Sequence, residues 1–274
     1  MNSRALGYRE TLALLRRLGD TAERLILVGG QAVNFWAEMY RTRVPDLQDG
    51  PYTSKDIDFY GLRQDARDCA ARLGGRLQIP AMDDTAAATM SGLVRYRDAD
   101  GEERILDILS SVHGLETKRV RDTAVPAEVR EKNDDETTAV RFLVMHPVLS
   151  LFSRVHNTAT WTTYRTERAL RQLRASVLCA REFLRDLAVD TEVEQRQRVR
   201  AVLHHYEDVF RMCCEVRGRQ LHHYWGIDLF AVVLPLAALP DKFRSVRHPQ
   251  MLGELRRIRE EAPPRPRGPL HVEL

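Results

Sequence analysis

Leu25-Ile26-Leu27-Val28-Gly29-Gly30-Gln31-Ala32-Val33-Asn34-Phe35-Trp36 and, further on, Thr53-Ser54-Lys55-Asp56-Ile57-Asp58-Phe59-Tyr60-Gly61 decide how this chain is read. Four apolar residues closed by a glycine pair read as a short buried strand entering a tight turn. Gln31 to Tyr40 reads as the helix that the turn opens, and Ile57 to Tyr60 as a second strand that begins with carboxylates. Between them Pro45, Asp49-Gly50 and Pro51 mark residues 41–54 as an irregular insertion.

Working outward, Tyr8, Leu12 and Leu15 fall at helical spacing within residues 4–18, and Gly19 ends that helix. Ala66 to Leu73 reads as helical and Arg76 to Ile79 as extended. Leu93 to Arg97 and Arg104 to Leu109 read as two strands joined by the turn Asp98-Ala99-Asp100-Gly101, and Thr138 to Val144 as a last strand. The expected fold is α+β, a mixed sheet with flanking helices. At Met145-His146-Pro147 the character changes to long helical stretches running to about Arg219. The expected domains are therefore residues 1–145, a helical domain over 146–261, and a mobile tail over 262–274, whose Ala262-Pro263-Pro264-Arg265-Pro266-Arg267-Gly268-Pro269 sustains neither a helix nor a central strand.

Composition bounds the function. The 274 residues are 43% hydrophobic, enough to bury a core. Residues 1–150 hold 21 Lys and Arg against 24 Asp and Glu, net −3, whereas residues 151–274 hold 21 against 15, net +6. The basic second half suits phosphate or RNA. Cys69, Cys179, Cys213 and Cys214 show no C-x-x-C spacing, so a reducing cytoplasm is expected and no disulfide framework. No segment approaches the roughly 18 apolar residues of a membrane span, and neither export nor a membrane partner is expected. No G-x-S-x-G, H-E-x-x-H or Walker-type glycine loop occurs, which removes several commoner enzyme classes.

Asp56 and Asp58, two apart at the start of a strand, leave on one face within reach of a shared divalent cation. Asp107 sits amid apolar neighbours in Arg104-Ile105-Leu106-Asp107-Ile108-Leu109, where an unpaired carboxylate would be costly to bury and a metal would compensate it. If the strands are adjacent, the three acids suit two Mg²⁺ ions, the arrangement used for phosphoryl and nucleotidyl transfer. Gly29-Gly30, between strand and helix, lets backbone N–H groups approach triphosphate oxygens. The alternatives are a turn or helix cap for Asp56 and Asp58, and a buried salt bridge or an exposed strand position for Asp107. Asp98 and Asp100 are fallback acids but suit the hairpin turn better.

LVGGQAVNFW followed by TSKDIDFYG resembles the signature of the DNA polymerase β-like nucleotidyltransferase superfamily, and in detail its AbiEii/AbiGii toxin-type branch. The resemblance covers residues 25–61 closely and 1–160 in outline. It implies a polymerase β-like sheet, metal-binding catalytic acids at Asp56 and Asp58 with a third carried to Asp107, NTP as substrate, and a helical C-terminal domain that helps bind the nucleotide. It further implies transfer of an NMP to an acceptor, tRNA or another RNA being preferred, by a toxin of a toxin-antitoxin or phage-defence system with a cognate antitoxin as partner. Similar proteins place a basic residue near the phosphates on the helix that opens the second domain, which points to Arg154. Lys55, one of four lysines, stands beside Asp56 as a triphosphate contact, and Arg165, Arg168 and Gln172 follow Arg154 as a stripe for phosphate or as a solvated helix face. Two other readings remain open: nucleotidylation of a small molecule such as an antibiotic, and a non-catalytic binding module or antitoxin of the same fold. His204-His205 and His222-His223 match no zinc spacing. Phe35, Trp36 and Trp161 are expected in core or interdomain packing.

Overall fold

The strand that begins the decisive stretch is buried from end to end, Leu25 to Val28 all lying out of solvent. A computed structural model of the chain describes residues 6–48, 50, 56–81, 89–133 and 136–266. By its internal contacts the chain divides into two units, residues 1–153 and 154–274.

In the first unit the order is α1 (Tyr8–Leu18), β1 (Ile26–Leu27), α2 (Gly29–Tyr40), β2 (Ile57–Tyr60), α3 (Arg63–Leu73), β3 (Arg76–Gln78), β4 (Met90–Arg97), β5 (Glu103–Leu109), α4 (Thr117–Asp122), β6 (Val125–Asn133) and β7 (Glu136–Val144). The strands form one seven-stranded sheet in the order β3-β4-β5-β2-β1-β7-β6. It is mixed: β2 runs parallel to β5 and β1 parallel to β7, and the other neighbours are antiparallel. The α+β expectation therefore holds, with a strand, β6, and a short helix, α4, that the pattern had not announced.

Alternation along the strands gives this sheet two unlike faces. Ile57, Phe59, Val94, Leu106 and Ile108 are buried on one face. Here α3 packs so closely that a Cβ on Gly92 would stand 2.8 Å from that of Ala66. Asp58, Leu93, Ile105 and Asp107, from the intervening positions, are only partly covered. Helix α3 is fixed at both ends, Asp65 Oδ2 accepting from the Leu62 N–H at 2.7 Å and Gly74 closing it at φ +62°. At the β4–β5 turn Asp98 does what its position suggests. Its Oδ1 accepts from the N–H groups of Asp100 and Glu102 at 3.0 and 2.9 Å, and its Oδ2 from Arg104 Nε at 2.7 Å, so the buried guanidinium is paired.

The aromatic cluster after the glycines is core, as expected. Phe35 meets Trp36 and Phe142 edge-on, and Trp36 Nε1 donates to the Met145 carbonyl at 2.9 Å. Helix α5 (Pro147–Thr160) runs across the division between the units, and its buried Val148, Leu149, Leu151 and Phe152 fall in the first.

The second unit holds the rest of α5, then α6 (Glu167–Val189), α7 (Gln195–Cys214), α8 (Val216–Trp225) and α9 (His248–Glu260). Leu173, Leu184, Val202, Tyr206, Val209, Leu221 and Leu255 are buried in its core. The tail expected to be mobile is tied down at its start. Arg219 donates to the Glu261 carbonyl at 3.0 Å, Tyr224 Oη to that of Pro263 at 3.0 Å and Gln220 to that of Pro264 at 2.7 Å. Prolines lack the N–H but keep the carbonyl, so a Pro-rich segment is still held as an acceptor. Residues 267–274 lie outside the described residues. Among those described, no helix is long and apolar enough to cross a membrane.

Candidate active site on the sheet

Gly29 opens α2 at φ +65°, a conformation that a side chain rarely tolerates. The reason for the glycine is a neighbour: a Cβ built there would stand 2.1 Å from Asp58 Oδ2 and 2.9 Å from its Cγ. The Asp58 carboxylate thus fills the space that residue 29 leaves open. The two segments are also tied through the backbone, Val28 N–H donating to the Asp58 carbonyl at 2.9 Å. Gly30, in the first helical turn, is buried. The helix start at Gly29-Gly30, whose first-turn N–H groups lack intrahelical acceptors, and one carboxylate therefore meet at the mouth of β1.

The β2–β5 register brings in the second carboxylate. Asp58 is paired with Asp107 across parallel strands, which puts both on the less covered face as immediate neighbours. Among the described residues, Asp107 Oδ1 is buried with no hydrogen-bond partner. Burial, and then the negative charge of Asp56, push its carboxyl up to about 6 against the opposing charge of Arg95. Asp56 itself lies in the bend just before β2 and is exposed. Of the residues singled out in the sequence, the structure places Gly29, Gly30, Asp56, Asp58 and Asp107 at this one locus.

The remaining ones belong to the second unit or lie outside the described residues. Lys55 is among the latter. Arg154 is buried in the second unit, where its Nη1 approaches Gln172 Oε1 at 3.5 Å and its guanidinium lies 5.7 Å from the Tyr164 ring. Arg168 is exposed in the first turn of α6. The expected stripe from Arg165 through Arg168 to Gln172 is not one face. Arg165 precedes α6 and caps the end of α5, donating to the Thr158 and Ala159 carbonyls at 3.1 Å each, while Gln172 is buried. Trp161, expected in packing, is 45% exposed.

Two basic residues on the same sheet face were not singled out from the sequence. Arg95 lies two positions along β4 from Leu93, the partner of Asp107, and Arg76 on β3 is paired with Arg95. The signal for them is the alternation Leu93-Val94-Arg95-Tyr96-Arg97, which makes one face of β4 polar, but only the register shows that this is the face of the acids.

Among the described residues no group of three or more His, Cys, Asp or Glu is closed into a ready-made metal site. The donor set nonetheless fits Mg²⁺ rather than a softer ion: all donors are carboxylate oxygens, and Oδ1 of Asp107, buried and without a partner among the described residues, is an atom that a hard cation satisfies. His204 and Asp208, 3.6 Å apart on successive turns of α7, pair locally, and Asp208 also meets Arg211 at 3.4 Å. Compared with family models, curated proteins and solved structures, the chain matches none.

Proposed function

We propose that the chain is a metal-dependent nucleotidyltransferase with a DNA polymerase β-like sheet, of the AbiEii/AbiGii toxin type, which moves an NMP from an NTP to the end of a tRNA. The observation that carries this reading is the pairing of Asp58 with Asp107 beside a glycine turn shaped to the Asp58 carboxylate. A phosphoryl substrate needs anion-binding backbone next to cation-binding carboxylates, and this locus offers both.

In the reaction an acceptor hydroxyl oxygen bonds to the α-phosphorus, the bond from that phosphorus to the bridging oxygen breaks, pyrophosphate leaves, and the hydroxyl proton passes to solvent. Asp56, Asp58 and Asp107 would hold two Mg²⁺, which supply electrostatic stabilisation to the attacking and departing oxygens. The first-turn N–H groups at Gly29-Gly30, which lack intrahelical acceptors, receive the triphosphate beside the Asp58 carboxylate. Strand pairing fixes Asp58 and Asp107 relative to each other before substrate arrives, so the site contributes chiefly by positioning and by charge.

The test is incubation of the purified protein with Mg²⁺, each α-³²P-labelled NTP in turn and total tRNA, beside Asp58→Ala protein. Label entering tRNA only with intact Asp58 is expected, together with growth arrest on expression that Asp58→Ala relieves. Label that is absent with every NTP, or indifferent to Asp58, would sink the reading.

A further inference from the structure

The acid-bearing face carries a second feature that the acids explain only in part. Arg76 and Arg95 stand directly opposite each other on antiparallel strands, both exposed. Like charges in that relation oppose strand pairing, so the pairing of β3 with β4 gives no reason for the arrangement. Arg95 has Glu103 within 3.5 Å, but the side chains are 44% and 61% exposed and the pair is worth little. Arg95 is also near enough to Asp107 to act on its charge.

The strand order gives this pair a direction relative to the chemistry. In β4-β5-β2-β1 the acids occupy the two central strands, with the turn at Gly29 following β1 on one flank and Arg95 on β4 on the other. Displacement at phosphorus requires the incoming oxygen and the leaving pyrophosphate on opposite sides of the phosphorus. With pyrophosphate at the glycine turn, the acceptor oxygen approaches from the β5 side, and the chain bearing that oxygen lies across β4 and β3. We propose that Arg76 and Arg95 form a phosphate track for the acceptor, a single-stranded RNA end that crosses β3 and β4 to reach the acids. The inference rests on the nucleotidyltransferase reading. A flexible polyanion neutralises both guanidinia at once and removes the repulsion between them, which is why two arginines in register suit RNA backbone.

The test uses the full-length protein, without NTP, and a fluorescent single-stranded RNA matching a tRNA acceptor end, read by anisotropy across a salt series. Arg76→Gln/Arg95→Gln is expected to bind the RNA about tenfold more weakly, and each lost contact to reduce the slope of log affinity against log salt by roughly 0.7. Binding of a fluorescent NTP stays as in the wild type, the melting temperature stays close to it because loss of the repulsion offsets loss of the Arg95 attraction to Glu103 and Asp107, and Arg76→Lys/Arg95→Lys restores most of the RNA affinity. Glu103→Gln binds RNA at least as well as the wild type. Unchanged RNA affinity and slope in the Gln variant overturn the track, and an equal loss of NTP binding reassigns the arginines to the triphosphate. The labelled-NTP transfer assay separates the two levels: no transfer by wild-type protein removes the underlying reading, whereas normal transfer with an unaltered KM for RNA in the Gln variant removes only the track.

Discussion

Gly29 is held to glycine by two independent constraints, a φ of +65° and the Asp58 carboxylate where a Cβ would go. The obstacle is the far end of a side chain, so the fold survives Gly29→Ala by turning Asp58 aside. We expect a stability loss of about 1–2 kcal/mol from the left-handed backbone. On the proposed function, transfer should fall roughly 100-fold or more because a carboxylate assigned to the metal is displaced. Kinetics and a melting curve on the same preparation check both numbers, and a variant that loses stability but keeps its rate would show that Asp58 is not used where it stands. Asp107 gives the opposite balance. Its folded carboxyl, at about 6, lies above the ordinary 3.8, so the native state holds this proton more tightly than the unfolded chain does. Below about pH 4 the group costs nothing, between about 4 and 6 stability declines as pH rises, and above about 6 the whole cost, up to about 3 kcal/mol, is present. In chelator, Asp107→Asn should therefore be more stable than wild type at pH 8 and no more stable at pH 4, by denaturant titration, while being inactive. Added Mg²⁺ should raise the melting temperature of the wild type at pH 8 and leave that of the variant nearly unmoved.

At the scale of elements, what could be read in advance followed hydrophobic contrast. Residues 57–60, 93–97 and 104–109 announced strands because apolar residues recur within short runs, and the structure holds β2, β4 and β5 over them. Strand β6, Val-Pro-Ala-Glu-Val-Arg-Glu-Lys-Asn, was invisible because it is charged and carries a proline, the composition of an edge strand, and the sheet order puts it at an edge. Helix α9 gave little signal for a similar reason, burying only Met251 and Leu255. The site was legible as residue types, acids and glycines, but the adjacency of β2 and β5 that unites Asp58 with Asp107 is a long-range pairing that no local pattern encodes. Helix packing offers its own prediction. Gly218, in the first turn of α8, would place a Cβ 2.0 Å from the Met212 carbonyl oxygen, and backbone cannot turn aside as a carboxylate can. Gly218→Ala should cost about 3 kcal/mol, lowering the melting temperature by roughly 6–12 °C, with nucleotide binding per folded molecule unchanged. A variant that melts with the wild type would show that α7 and α8 have slack at this crossing.

For the whole molecule, the change from mixed sequence to helical stretches at Met145-His146-Pro147 marks where helix begins, whereas the internal contacts divide the chain after Ser153. The difference is the first two turns of α5, whose Val148, Leu149, Leu151 and Phe152 are buried with the first unit. A change of secondary structure and a change of domain are distinct events, and sequence patterning reports the first. A fragment ending at residue 145 should therefore expose the surface these four side chains cover and aggregate, while one ending at 160 stays soluble with a cooperative urea transition. Equal behaviour of the two fragments would mean that the helix start contributes nothing to the first unit.

The space shared by Gly29 and Asp58 also bears on descent. The two positions are coupled: a side chain at 29 requires the carboxylate to turn aside, and once that acid is lost only the left-handed backbone still favours glycine. On the proposed function, lineages that have abandoned the chemistry should lose the acid before the glycine is filled. Among descendants of a common ancestor, a side chain at position 29 would then mark a protein that keeps the architecture for binding alone.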